Sequence, residues 1–271
     1  MRERSNLFFE AKCGFVSMSK MIVVALLIVL GWNSIASAQM KGKKKPAKSD
    51  EKAEVEGKNE DLLLTPKWHV AFLNQRPMPG TIPLPEQTPF KVLDDLEFTG
   101  PFANDPFLLG HVKVDGQWAL IDGFLARSAG RNAAIKVAKA DQFELEGKMN
   151  AEGLGGWFLL LGWADGNGYA IYNVNLKTSG SPWHICEFRG GEGIESTHQE
   201  TSRYECRGVE SFRLRVNDDQ VSMKIETTMI LENYPMRSYN SGDVIIGTYD
   251  TKYGAKILKI QSLRLRAIEE K

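Results

Sequence analysis

The stretch Gly155–Gly190, GGWFLLLGWADGNGYAIYNVNLKTSGSPWHICEFRG, decides the fold class. It reads as three extended segments, broken at Asp165-Gly166-Asn167-Gly168 and at Ser179-Gly180-Ser181-Pro182. Asp-Gly and Asn-Gly pairs between apolar runs are hairpin signals. In the first segment Trp157, Leu159, Leu161 and Trp163 share one face, and Phe158, Leu160 and Gly162 the other. Both faces are apolar, which predicts a central strand covered on two sides. In the second segment Ala170, Tyr172, Val174 and Leu176 alternate with Tyr169, Asn173 and Asn175. An aromatic ring beside side-chain amides suits a flat, hydroxyl-rich ligand. Tyr169, Asn173 and Asn175 are therefore candidate ligand-binding residues.

The same alternation extends outward. Strands are expected at Phe107–Val114, Trp118–Ile121, Phe124–Ser128, Ala134–Ala138 and Gln142–Met149. Others follow at Arg203–Arg207, Ser211–Val216, Val221–Glu226, Val244–Tyr249 and Lys256–Ala267. Phe143, Leu145, Gly147 and Met149 point one way, and Glu144, Glu146 and Lys148 the other. Phe212, Leu214 and Val216 likewise alternate with Arg213 and Arg215. In the last strand Leu258 and Ile260 are out of phase with Leu263 and Leu265, which predicts a β-bulge near Gln261-Ser262. Many short strands without an amphipathic helix predict an all-β, two-sheet antiparallel jelly-roll sandwich over residues 107–271. A stretch this long suits two large sheets better than an immunoglobulin domain of about 100 residues.

Upstream the composition changes. Residues 62–106 carry Pro77, Pro79, Pro83, Pro85 and Pro89, a density that excludes helix and central strand and predicts a wrapping segment. Trp68, Val70 and Phe72 alternate there as a first strand. Residues 39–61 are charged and nearly free of apolar side chains, so they read as a solvated, disordered linker. Lys20, the apolar run Met21–Trp32 and Ala36-Ser37-Ala38 read as a secretory signal peptide over residues 1–38, with an uncleaved N-terminal anchor as the alternative and Met1, Met18 and Met21 as candidate starts. The apolar run is short of the roughly 20 residues a membrane span needs. The expected location is outside the cytoplasm: periplasm, cell surface or extracellular space.

The chain balances 34 basic against 34 acidic residues, so no global field draws it to nucleic acid or to an anionic membrane. Of the three cysteines, Cys13 leaves with the leader. An even remainder in an exported protein favours a Cys186–Cys206 disulfide, with two buried thiols as the alternative. If those cysteines face each other on antiparallel neighbours, Glu187 opposes Glu205 and Arg189 opposes Arg203. Trp183, Arg189 and Arg207 then join the two carboxylates in a charge lattice with an indole at its edge. That lattice can be a sugar-binding floor, with Glu187 and Glu205 as a glycosidase pair, or a solvated face of ion pairs.

Other candidates are weaker. Glu144 and Glu146 read as strand exterior, because Lys148 breaks the acidic ladder. His69, His111, His184 and His198 form no H-x-H or H-x-x-x-H pair, so no metal site is expected. Asp250, in a polar hairpin, can line a pocket or hold a structural calcium, or serve as turn chemistry alone. No nucleophile elbow, phosphate loop or dinucleotide fingerprint is present.

Gly116-Gln117-Trp118, Asp122-Gly123, Phe143-Glu144-Leu145-Glu146 and the closing Ile260-Gln261-Ser262-Leu263-Arg264-Leu265 give the chain a family resemblance. It resembles the concanavalin A-like lectin and glucanase superfamily, and within it the secreted 3-keto-disaccharide hydrolases, over about Phe107 to Ala267. The resemblance implies a jelly roll whose concave face binds carbohydrate. The expected partner is thus a glycan or sugar-derived ligand. Hydrolysis of a glycosidic bond and a non-catalytic envelope or adhesion scaffold are the alternatives.

Overall fold

The computed structural model describes residues 64–269 apart from 75, 77, 104–107, 152, 154, 175–179, 252, 253 and 255–257. The expected signal peptide and linker, and the candidate Asn175, lie outside the described residues. The strands begin with β1 (His69–Leu73), β2 (Thr81–Pro83), β3 (Lys91–Leu93), β4 (Glu97–Thr99) and β5 (His111–Lys113). Next come β6 (Gln117–Ile121), β7 (Phe124–Ala129), β8 (Ala133–Ala140), β9 (Phe143–Asn150) and β10 (Gly156–Ala164). The chain continues through β11 (Asn167–Val174), β12 (Pro182–Arg189), β13 (Glu192–Gly193), β14 (Gln199–Arg203) and β15 (Val209–Asn217). It closes with β16 (Gln220–Ile225), β17 (Thr228–Pro235), β18 (Gly242–Tyr249) and β19 (Lys259–Ala267).

These strands form the two-sheet sandwich that alternation predicts. The first sheet runs β3-β8-β18-β10-β11-β12-β13-β4-β5, with β14 also on β12. The second runs β17-β16-β15-β9-β19-β7-β6-β2, with β1 also on β19. Pairing is antiparallel except where Glu192 of β13 meets Thr99 of β4 in parallel. The β10–β11 hairpin closes on Asp165 and Gly166, both with positive φ (50° and 76°). Two such residues give the turn whose twist matches the strands.

The core has two layers. Between the sheets, Trp157, Leu159, Leu161, Trp183 and Ile185 pack on Leu145, Phe212, Leu214, Ile260 and Leu263. On the other side of the first sheet, Phe158, Leu160, Tyr172, Cys186 and Phe188 are covered by Leu93, Phe98, Leu109 and Val112. The central strands of the first sheet, β10, β11 and β12, are therefore buried on both faces, as the run Trp157–Leu161 predicts. Each fully buried large apolar side chain contributes about 1.5–3 kcal/mol. The outer face of the central strands of the second sheet stays open to solvent: Lys148, Arg213, Lys224 and Arg264 are exposed.

Two irregularities set side-chain directions. Pairing slips between Ile260 and Ser262, the bulge expected from the phase change in β19. A second slip, at Gly162 in β10, escapes the alternation. Gly162 has φ 61°, and a Cβ there would sit 2.3 Å from the Asn240 carbonyl oxygen. The bulge turns Trp163 away from the Trp157 face, so it packs edge-on against Phe98 and Phe188 instead.

Candidate functional site

The strand that carries Cys186 does lie beside the segment leading to Cys206, but in a different register. Pro182 pairs with Arg203, Trp183 with Ser202, His184 with Glu200 and Ile185 with Gln199. Cys186 and Cys206 are buried thiols, and the expected disulfide is not formed. The reason is facial: Cys186 belongs to the outer layer of the first sheet, whereas Cys206 belongs to the layer between the sheets. The sheet itself separates the two sulfurs.

The same register removes the Glu187–Glu205 pair. Opposite Glu187 lies Thr197, whose Oγ1 accepts the Glu187 N–H at 3.0 Å. Arg203 is level with Pro182, and the five residues from Pro182 to Glu187 span about 16 Å at about 3.3 Å per residue. Glu205 lies past that level, well beyond the roughly 5–9.5 Å that separates glycosidase carboxyls. Arg207 instead donates to Glu205 at 3.0 and 3.2 Å, in a separate exposed pair.

Trp183, expected on a wet surface, is fully buried. Its ring meets Trp157 edge-on at 5.0 Å, and its Nε1 donates to the Tyr204 carbonyl at 3.1 Å. Asn173 is also fully buried, and its Oδ1 accepts the Trp157 N–H at 3.4 Å. Neither residue can touch a ligand from solvent. Tyr169, Glu187 and Arg189 do come together. Arg189 donates to Glu187 Oε1 at 2.8 and 2.9 Å. Tyr169 Oη approaches Glu187 Oε2 at 3.4 Å and Ser238 Oγ at 3.1 Å. Half-buried Tyr234 lies close enough to feel Tyr169 and Glu187, though burial is the main cause that raises its phenol pKa.

The outer face of the first sheet is closed where β11 meets β12. Tyr172, His184 and His198 stack there, with the two imidazoles 4.9 Å apart and Phe102 edge-on to His198 at 4.8 Å. Burial lowers the His198 pKa despite Glu195 and Glu200. Among the described residues no group of three or more acidic, His or Cys side chains gathers as a metal site. Asp250 lines a polar pocket of about 380 Å³ with His111, Asp115 and Asn132. Its Oδ1 is held by Arg127 Nη1 at 2.7 Å.

A charge lattice with an indole at its edge does exist, on the outer face of the second sheet. It forms because β9 runs between β15 and β19. Arg215, Glu144 and Arg266 make one row; Arg213, Glu146 and Arg264 the next; Ser211, Lys148 and Ser262 the third. Arg266 grips Glu144 Oε2 at 2.6 and 2.9 Å. Glu146 accepts from Arg213 at 2.6 Å and from Arg264 at 2.5 and 2.9 Å. Burial pushes the Glu146 carboxyl up, but hydrogen bonds from Arg264 and Arg213 outweigh it and hold its pKa below the usual value. Trp68 carries Arg264 and Arg266 over its ring, at 4.5 and 4.6 Å. Where the third row exposes its two serines, the surface sinks into a groove of about 400 Å³ that Lys224 and Glu226 also line.

The pieces of this face are visible as alternation in three separate strands, and Lys148, which interrupts the acidic ladder, sits in the groove. Their assembly is not visible, because it depends on which strands are neighbours. No family model matches the chain, and no curated protein matches it. Similar solved structures include a carbohydrate-binding module, CBM66 from Bacillus subtilis, at 12% identity and a TM-score of 0.44, covering 56% of this chain and 92% of that one. The Emp47p carbohydrate recognition domain gives 11% and 0.43, covering 71% and 96%. A native glycosidic hydrolase gives 9% and 0.49, covering 78% and 100%.

Proposed function

We propose that the protein binds a saccharide on the outer face of the second sheet. One observation supports this above the rest: the Ser211–Lys148–Ser262 row opens a groove beside the rigid Arg213–Glu146–Arg264 row. Sugar hydroxyls both donate and accept, so they need fixed groups of both kinds at close spacing. A guanidinium has five N–H donors, and Glu146 engages only part of each. Arg213, Arg264, Glu146, Ser211 and Ser262 all line this one groove. Their geometry is set before a ligand arrives, which lowers the entropy lost on binding. The signal-peptide pattern supports a ligand met outside the cytoplasm.

A glycan array probed with the purified protein and with Ser211→Tyr tests the reading. Tyr on this exposed strand position fills the groove without entering the core. Binding should be lost with the melting temperature unchanged; binding that survives Ser211→Tyr removes the groove from consideration. Reducing-sugar release from the same ligands would turn the reading from binding to glycosidic hydrolysis. A second reading rests on the Glu187 carboxylate, which is surrounded by Arg189 and Tyr169 beside half-buried Tyr234. It predicts that Tyr169→Phe, not Ser211→Tyr, weakens saccharide binding.

A further inference from the structure

We propose that the saccharide taken by this groove is acidic, bearing a carboxylate or a sulfate ester; this rests on the saccharide-binding reading of the same face. Four cations line the groove, Lys148, Arg213, Lys224 and Arg264, against two carboxylates, Glu146 and Glu226. The surplus is local, because the chain as a whole is balanced. Nor is it evenly shared. Glu146 is committed to the two arginines, and Glu226 Oε1 accepts the Ser211 N–H at 2.5 Å. Lys148 and Lys224 are exposed and make no ion pair among the described residues.

Two ammonium groups thus stand beside arginines whose charge is only half neutralised. An anion entering between them gains charge-assisted hydrogen bonds that a neutral sugar cannot make. Ser211 and Ser262 on either side of Lys148 leave room for the ring that carries the anion. Single-stranded nucleic acid fits less well. It needs aromatic platforms for its bases, and the ring beside this face, Trp68, already carries two guanidinium groups. The groove carboxylates would also repel a continuous phosphate track, whereas they can accept hydroxyls between the spaced anions of a glycan.

The test is titration calorimetry with oligogalacturonate, dextran sulfate oligosaccharide, neutral dextran oligosaccharide and a single-stranded oligonucleotide, each at low and high salt. The protein is compared with Lys148→Gln/Lys224→Gln, which alters two exposed side chains and no ion pair. At least one acidic saccharide should bind. The double variant should weaken it by about tenfold or more, and high salt should weaken it as well. Carboxylate and sulfate are distinguished by which of the two acidic ligands binds. Equal binding of neutral dextran, or acidic binding untouched by the double variant, overturns the inference while leaving saccharide binding on this face standing. Equal binding of the oligonucleotide overturns it in favour of nonspecific charge. If no saccharide binds here or on the array, the saccharide reading itself fails.

Discussion

Replacing Trp183 with alanine separates a core tryptophan from a ligand platform. Trp183 has no solvent exposure, packs edge-on against Trp157 at 5.0 Å and satisfies the Tyr204 carbonyl through its Nε1 at 3.1 Å. Removing a buried tryptophan costs about 3–5 kcal/mol, including the cavity left behind. The indole pair and the orphaned carbonyl place this site in the upper half of that range. A loss of about 4 kcal/mol is a large share of the roughly 5–15 kcal/mol that holds a domain together. For a domain of this size it lowers Tm by about 8–16 °C. Urea unfolding followed by far-ultraviolet circular dichroism reads the loss as a lower midpoint with an unchanged slope. Trp183→Phe keeps most of the volume and costs about 1–3 kcal/mol. A variant that unfolds within about 1 kcal/mol of wild type, yet no longer binds saccharide, would put Trp183 on the ligand surface and refute the packing argument.

Three further outcomes follow from the same structure. Burial pushes the Cys186 thiol pKa up to about 11, so iodoacetamide at pH 8 should leave it unlabelled in the native state. In guanidinium without reductant both Cys186 and Cys206 should label, and a mass showing neither labelled would restore the disulfide. Gly247→Ala sets a Cβ 2.1 Å from Phe158 Cζ, in a fully buried layer; overpacking there should cost about 1–3 kcal/mol in the same unfolding assay. Because the folded Glu146 pKa is depressed, its contribution is present above the ordinary value of 4.5 and is lost as pH falls through the lower folded value. Glu146→Gln should therefore cost about 1 kcal/mol at neutral pH, across two solvent-screened pairs. The difference from wild type should shrink in acid; a difference that grows there contradicts the ion-pair account.

Much of the fold is legible in the sequence, because the side-chain period of a strand is local. Alternation in Phe143–Met149 and Phe212–Val216 sets the correct inner and outer faces, and the phase slip after Ile260 locates a real bulge. The double-sided apolar run Trp157–Leu161 announces a sheet covered twice. Where local reading fails, the cause is pairing. The register assumed for Cys186 and Cys206 sets Glu205 opposite Glu187, whereas the Pro182–Arg203 register carries Glu205 away; Trp183 and Glu187 keep a common face of β12, but that face is turned towards the second sheet. Trp183 fails for a second reason: an indole is equally at home in a core and on a sugar platform, and only burial decides. The Gly162 bulge is silent in the sequence because glycine is its sole mark. The open charged face is the converse case. Glu144, Glu146, Lys148, Arg213 and Arg215 read correctly as opposite the apolar face of their strands, but Glu146, Arg213 and Arg264 become one unit only because β9, from mid-chain, is inserted between β15 and β19.

A crystal structure of the protein with the tightest-binding oligosaccharide from the array would locate the ligand. Sugar density is expected over Ser211, Lys148 and Ser262, with hydrogen bonds to Arg213 or Arg264. Density beside Glu187 and Tyr169, or in the pocket at Asp250, with the outer face of the second sheet bare, would contradict that placement.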